Sequence, residues 1–282
     1  RNSLADSGTV TAALAFGGAT SPQGQTEVWN GTNWTEVNDL NTGRGSLAGA
    51  GNSNTAALGF GGGPPNVAIT EEWNGTNWTE VADLNTGRRA LGGAGIYTLA
   101  LAVGGNDGSL SGKTETWNGT SWSEDTDLNT ARAEIGTTGT QSSALAFAGA
   151  APSDSAVSEE WTAAGAAVGA WTTVNPLNTG RIRAGGAGTK ENALAFGGGP
   201  GAKNETEVWN GSNWTEVNNL NTARSNLTGS GSYTSALAYG GSPGSKNETE
   251  TWNGTNWTEV NNLNTARHYL MGIGSDNTNA LA

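Results

Sequence analysis

The sequence contains no cysteine and a single histidine, His268. The first absence excludes a disulfide framework and a thiolate metal site. The second excludes a multi-histidine metal centre and argues against a histidine-based catalytic triad. Lysine is scarce: Lys113, Lys190, Lys203 and Lys246 are the only ones. Acidic residues outnumber Lys and Arg by 25 to 13, for a formal net charge of −12. Phosphate backbones are held by clustered Lys and Arg, so no nucleic-acid partner is expected, and an anionic membrane surface is disfavoured on the same ground. No run is long and apolar enough to span a bilayer, so membrane insertion is not expected, and no signal peptide is visible. The chain opens on Arg1 rather than Met, as expected of a processed form or a piece of a longer protein. No cofactor is implied by any motif.

Against these absences stand 45 glycines and 12 tryptophans in 282 residues. The tryptophans fall in six pairs within one recurrent stretch, Trp-Asn-Gly-Thr-Asn-Trp in its first copy. The first members are Trp29, Trp73, Trp117, Trp161, Trp209 and Trp252; the second are Trp34, Trp78, Trp122, Trp171, Trp214 and Trp257. Successive copies are 43 to 49 residues apart and run on without a linker. This predicts one domain of stacked units over 1–282.

Each unit reads as four short segments, a to d, too short for helices and bounded by turn residues. In the second copy, a is Ser46–Gly51, b is Ala56–Phe60, c is Thr70–Trp73 and d is Trp78–Val81. Segment b puts Leu58 and Phe60 on one face and Ala57 and Gly59 on the other. A strand apolar on both faces is buried between two sheets, with the large face of one filling space against the small face of the next. Segment a, rich in Gly and Ala, suits a crowded axis where backbones approach closely. Asn-Gly between c and d is a hairpin signal, and both tryptophans are expected to pack between neighbouring sheets. Four strands per period of this length signify a β-propeller.

The units are unequal at the ends. The Trp hairpin occurs six times, but the a–b half occurs seven times, with a final half-repeat at 267–282. The expectation is six four-stranded blades, with Tyr269–Ile273 completing the first blade, because the N-terminal candidate carries Asp6 inside the strand. The alternative is seven blades.

The order of features resembles the kelch repeat: an arginine, a glycine-rich strand, an apolar strand ending in Gly-Gly (Gly17-Gly18, Gly61-Gly62, Gly104-Gly105, Gly197-Gly198, Gly240-Gly241), an aromatic, a tryptophan and the next arginine. Trp29 and its equivalents stand where kelch repeats usually have tyrosine. The fourth copy departs, with Ala148-Gly149 and a longer c–d connection from Thr162 to Ala170 that should project. The resemblance implies a kelch-like all-β propeller. The stretch Trp-Asn-Gly-Thr-Asn-Trp-Thr-Glu-Val is also similar to repeats of kelch-like proteins of marine tailed phages, which implies a virion or tail-fibre component.

The tryptophans read as structural, since all twelve belong to the repeat. The repeat arginines Arg44, Arg88, Arg132, Arg181, Arg224 and Arg267 could gather an anionic ligand, or each could bond a carboxylate of the frame. An equal number of repeat glutamates (Glu27, Glu71, Glu115, Glu159, Glu207, Glu250) favours the second reading. No Ser-x-Asp-x-Gly-x-x-Trp box of the sialidase type is present. Most carboxylates sit at repeat positions, so no catalytic residue is assigned and a non-enzymatic chain is expected. The b–c loops vary from copy to copy, and variable loops on one rim are where repeat proteins carry binding specificity. Gln23, Asn66, Asp107, Asp154, Lys203 and Lys246 mark that rim as candidate partner- or glycan-binding residues. The expected role is structural or adhesive, on a virion or extracellular surface, with other proteins of the same assembly or a host glycan or protein as partners. The alternative is a secreted bacterial carbohydrate-binding or carbohydrate-cleaving propeller, which a carboxylate pair facing the central channel, outside the repeat pattern, would support.

Overall fold

A computed structural model describes residues 3–281, apart from 10–11, 20–23, 31–32, 164–167, 264–265, 267, 269–272 and 277–278. Its regular structure is all strand. Blade 1 holds β1 (Ala5–Thr9), β2 (Ala12–Phe16), β3 (Thr26–Trp29) and β4 (Trp34–Val37). Blade 2 holds β5 (Ala48–Gly51), β6 (Ala57–Phe60), β7 (Thr70–Trp73) and β8 (Trp78–Glu80). Blade 3 holds β9 (Gly92–Ile96), β10 (Leu99–Val103), β11 (Thr114–Trp117) and β12 (Trp122–Asp125). Blade 4 holds β13 (Gly136–Thr140) and β14 (Ser143–Phe147); the short pair β15 (Ala150–Ala151) and β16 (Ser153–Asp154) in its b–c loop; then β17 (Ser158–Thr162) and β18 (Ala170–Val174). Blade 5 holds β19 (Gly185–Gly188), β20 (Ala193–Phe196), β21 (Thr206–Trp209) and β22 (Trp214–Val217). Blade 6 holds β23 (Thr228–Ser232), β24 (Ser235–Tyr239), β25 (Thr249–Trp252) and β26 (Trp257–Val260). Each blade is a four-stranded antiparallel meander, and the six are arranged as a β-propeller.

Strand a of every blade is innermost, and the inner strands touch in sequence around the axis, from β1 to β5, β9, β13, β19 and β23. The Gly/Ala composition of these strands has a direct cause. The b-strand phenylalanine of one blade lies over a glycine of the next blade's inner strand: a Cβ on Gly186 would sit 2.8 Å from Phe147, and one on Gly229 2.1 Å from Phe196. Five apolar clusters each join two consecutive blades. The one between blades 1 and 2 gathers Leu14, Phe16 and Leu40 with Leu47, Ala57, Trp73 and Trp78. At about 25 cal/mol per Å2 and roughly 150–250 Å2 per indole, each buried tryptophan contributes several kcal/mol before entropy is subtracted.

Outside blade 4, the c–d connection is a four-residue loop rather than a two-residue turn, as blade 2 shows. Asn74 N–H reaches Asn77 O at 3.2 Å, and Asn74 Oδ1 accepts from the N–H groups of Thr76 and Asn77. The asparagine side chain thus supplies the turn's acceptors, while Gly75 takes φ +91°.

The end of the chain corrects one expectation. Strand a of the first blade is β1, with Asp6 inside it, and not the C-terminal segment. Tyr269–Gly272 of that segment lie outside the described residues. Beyond them β27 (Ile273–Asp276) and β28 (Asn279–Leu281) pair as a separate two-stranded sheet, and β27 packs between the inner strands β23 and β1. Asp6 on this inner strand borders the central channel.

Candidate binding face at the channel mouth

The antiparallel register sends the a–b turns and the c–d hairpins to one face. The b–c loops and the connections between blades lie on the other. On this second face, the residue after each repeat arginine bridges the b–c loop of the blade it enters: Gly45 with Gly63, Arg89 with Asn106, Ala133 with Ala150, Ile182 with Gly199 and Ser225 with Ser242.

The next residue along takes a left-handed conformation in every described blade. Ser3, Ser46, Ala90, Glu134, Arg183 and Asn226 have φ between 52° and 55°, although none is glycine. The amides of four of them donate hydrogen bonds across blades. Ser46 N–H donates to Ser3 O and Ala90 N–H to Ser46 O, both at 2.8 Å. Glu134 N–H donates to Ala90 O at 2.9 Å and Asn226 N–H to Arg183 O at 3.2 Å. Sparsely populated backbone of this kind costs of order 1 kcal/mol or more per residue and persists only where its surroundings over-determine it. Here it sets six side chains of five kinds around the entrance to the channel.

That entrance is a cavity of about 640 Å3 whose lining includes Asp6, Ser46, Glu134, Arg183 and Asn226. Arg183 holds Glu134 with both arms: Nε to Oε2 at 2.8 Å and Nη2 to Oε1 at 2.9 Å. The pair is about one-third exposed, at 37% and 29%. Asn226 donates to Ser242 Oγ at 2.7 Å, while its own Oδ1 is buried without a partner. Deeper in, Asp6 Oδ2 is also buried without a partner, and burial pushes the Asp6 carboxyl up to about 7. Asp6 also lines a second cavity of about 350 Å3 toward the opposite end, with Thr138 and inner-strand glycines.

The rim residues singled out from sequence lie on the same face but outside the cavity lining. Asn66, Asp107, Asp154, Lys203 and Lys246 are half-buried on the b–c loops. Asp107 caps Ser109 N–H at 3.3 Å, and Lys246 pairs with Glu248 at 3.2 Å. Gln23 lies outside the described residues, as does most of the blade 4 c–d connection, residues 164–167; Val168 beside it is well exposed.

The repeat arginines are elsewhere, inside the blades. Arg44, Arg88, Arg132, Arg181 and Arg224 are buried and pair with Glu71, Glu115, Glu159, Glu207 and Glu250. Arg44 shows the arrangement: Nε to Gly61 O at 2.8 Å, and Nη1 to Thr42 O at 2.8 Å and to Glu71 Oε1 at 2.5 Å. The other carboxylate oxygen accepts from both the amide and the side chain of Asn41. These guanidiniums belong to the frame and do not gather at a ligand site. Each arginine precedes its glutamate by 26 or 27 residues. The counting of six arginines against six glutamates is therefore displaced by one. At that spacing Glu27 belongs with Arg1, and no glutamate follows Arg267 within the 282 residues. Arg1 and Arg267 themselves lie outside the described residues.

Sequence reasoning missed the left-handed ring and the Glu134–Arg183 pair. A signal of the site, though not of its conformation, was present: the second residue after the repeat arginine varies among Ser, Ala, Glu, Arg and Asn. Asp6 was noticed only as a misfit. Among the described residues no group of three or more His, Cys, Asp or Glu is placed to hold a metal, and no helix is long and apolar enough to cross a membrane.

The fold defines the class: a β-propeller of six four-stranded blades around a channel. Among solved structures the chain is similar to "Structure of YjhT", with a TM-score of 0.74 and 13% sequence identity over 92% of this chain and 97% of that one. At that identity the likeness concerns the fold alone. No protein-family model matches the chain, and no curated protein matches it in sequence.

Proposed function

We propose that this chain is a non-enzymatic binding propeller, of kelch type in its repeat pattern, that contacts a protein or glycan through the face carrying the b–c loops and the channel mouth. One observation carries this reading. Side chains of differing chemistry, Ser, Ala, Glu, Arg and Asn, are held in one left-handed conformation around the channel mouth beside b–c loops that vary from copy to copy, while the repeat's own arginines, glutamates and tryptophans hold blades together. A uniform scaffold with a varied rim is the arrangement by which repeat proteins acquire specificity. The near-identity of the repeats, the acidic lysine-poor surface and the resemblance to tailed-phage repeats support a virion or other extracellular surface as its setting.

A glycan array probed with the labelled chain, alongside cryo-EM of its native assembly, tests the reading. The rim is expected to face solvent or a partner. Binding is expected to fall at least tenfold on Arg183→Ala, which leaves the fold intact because the ion pair is partly exposed and contributes about 1 kcal/mol or less. Binding centred on the opposite face would refute the assignment.

The second reading, a carbohydrate-binding or carbohydrate-cleaving propeller, is favoured by Asp6 and Glu134. Both border one cavity and stand outside the repeat pattern. Hydrolysis by a carboxylate pair requires one group to give a proton and the other to act as base or nucleophile. The raised Asp6 fits the first role, whereas both oxygens of Glu134 are engaged by Arg183. Release of reducing sugar from an oligosaccharide panel, lost on Asp6→Asn, would move the assignment to hydrolase.

A further inference from the structure

We propose that β27 and β28 form the inner half of a seventh blade position, and that its open outer half is a docking slot for a β-hairpin with the chain's own c–d pattern, Thr-Glu-x-Trp-Asn-Gly-x-x-Trp.

Ring geometry is the first ground. The inner strands run β1, β5, β9, β13, β19, β23 and then β27, which touches both β23 and β1. In all six blades the outer edge of strand b is paired with strand c. Among the described residues β28, the strand in the b position, is paired only with β27. An open strand edge is a template for another strand.

The second ground is a hydrogen bond repeated at every complete junction. The second tryptophan of each blade donates its indole N–H to a hydroxyl at the start of the preceding blade's strand c. These pairs are Trp78 with Thr26, Trp122 with Thr70, Trp171 with Thr114, Trp214 with Ser158 and Trp257 with Thr206, all at 2.9 to 3.0 Å. The next hydroxyl in the series belongs to Thr249 of blade 6. Its Oγ1 is buried and has no partner, and the donor the series calls for is the second tryptophan of a seventh hairpin. A buried hydroxyl left without a partner is destabilising, and a donor reaching it would relieve that cost.

The third ground lies on the other wall of the slot. Ten tryptophans are buried to within a few per cent, but Trp29 and Trp34 of blade 1 are only half-buried. Their rings stack on each other 5.6 Å apart, as in the other pairs. Trp34 makes no equivalent bond to a neighbouring blade among the described residues. An incoming hairpin would cover both rings and bring its leading threonine to Trp34. Its glutamate would stand at the position that follows Arg267 by the repeat spacing. The occupant is not one of the six hairpins within residues 1–282, because each of those is paired in its own blade.

The test uses the peptide TETWNGTNWTEV, the sequence of residues 249–260, added to the 282-residue chain. Calorimetry is expected to give one site per chain, and hydrogen exchange to show new protection at residues 279–281 and at Trp34. Replacing both peptide tryptophans by alanine is expected to abolish binding. Thr249→Val, which removes the acceptor while keeping the shape, is expected to weaken it about fivefold, the value of one neutral hydrogen bond. Because a free hairpin must order itself on binding, a second variant appends the sequence of residues 240–260 after Ala282. Its Tm is expected to rise, and to rise less with Thr249→Val. The proposal is overturned by failure of both the peptide to bind and the appended chain to gain stability. Equal binding of the alanine peptide, or protection of β28 by self-association of the chain alone, overturns it as well.

Discussion

Removing the Glu115 carboxylate should unfold more of this protein's stability than removing any exposed charge. Arg88 and Glu115 are both fully buried. Arg88 Nη2 donates to Glu115 Oε1 at 3.0 Å, and Asn85 donates to Oε2 through its backbone N–H at 2.7 Å and its side chain at 2.9 Å. Burial holds the Arg88 guanidinium below its usual pKa, and Glu115 is the largest influence opposing that shift. Glu115→Ala leaves the cation enclosed with only the carbonyls of Gly104, Lys113 and Ala102 as acceptors. Breaking one partner of a buried pair costs about 3–5 kcal/mol. Glu115→Gln keeps an acceptor oxygen but loses the charge, for about 1–3 kcal/mol. Replacing both groups by apolar residues, Arg88→Met with Glu115→Leu, should be milder than Glu115→Ala alone, because no charge remains to be buried. Urea unfolding at pH 7, followed by tryptophan fluorescence, reads all three, and hydrogen exchange should localise the loss to blades 2 and 3. A Glu115→Ala cost below about 1 kcal/mol, or a double variant worse than the sum of its parts, would refute the reasoning.

Three other expectations follow from the packing and the channel. The Asp6 carboxyl, raised to about 7 by burial, binds its proton more tightly in the folded than in the unfolded chain. Its contribution is therefore fullest below about pH 4, declines as pH climbs to 7 and is flat above. Asp6→Asn should remove that decline and stabilise the protein at pH 7.5 by about 1–3 kcal/mol; a wild-type-minus-variant difference independent of pH between 4 and 7 would count against it. Gly229→Ala should cost about 1–3 kcal/mol by overpacking, since the new Cβ would lie 2.1 Å from Phe196, and Phe196→Leu should cost less in that background than in the parent. Trp122→Phe should cost about 2 kcal/mol by leaving Thr70 Oγ1 without its 3.0 Å donor, and little more when combined with Thr70→Val.

The frame of this protein could be read from its residues because the information was local and repeated. Alternation of Leu58 and Phe60 with Ala57 and Gly59 declares a strand buried on both faces, and six copies at a steady spacing declare a ring. The segregation of tryptophans, arginines and glutamates to repeat positions marks them as frame. These features depend on side-chain volume and period, which neighbouring residues along the chain express.

Closure, register and the character of the channel depended on contacts between residues far apart. Sequence alone assigned the first inner strand to Tyr269–Ile273, because Asp6 suits an enclosed strand poorly; the tertiary structure gives that place to β1 and leaves one oxygen of Asp6 buried without a partner. Equal numbers of Arg and Glu could not show that each arginine serves the blade it enters, which displaces the pairing by one. The ring of left-handed residues from Ser3 to Asn226 could not be foreseen either. Nothing in a serine, alanine, glutamate, arginine or asparagine demands positive φ, and the amides of Ser46, Ala90, Glu134 and Asn226 reach across to the preceding blade for acceptors that only the assembled ring supplies. Sequence determined the unit and the architecture; tertiary structure decided where the ring closes, which side chains meet at its mouth and which buried hydroxyl is left waiting, because only packing brings separate blades within reach of one another.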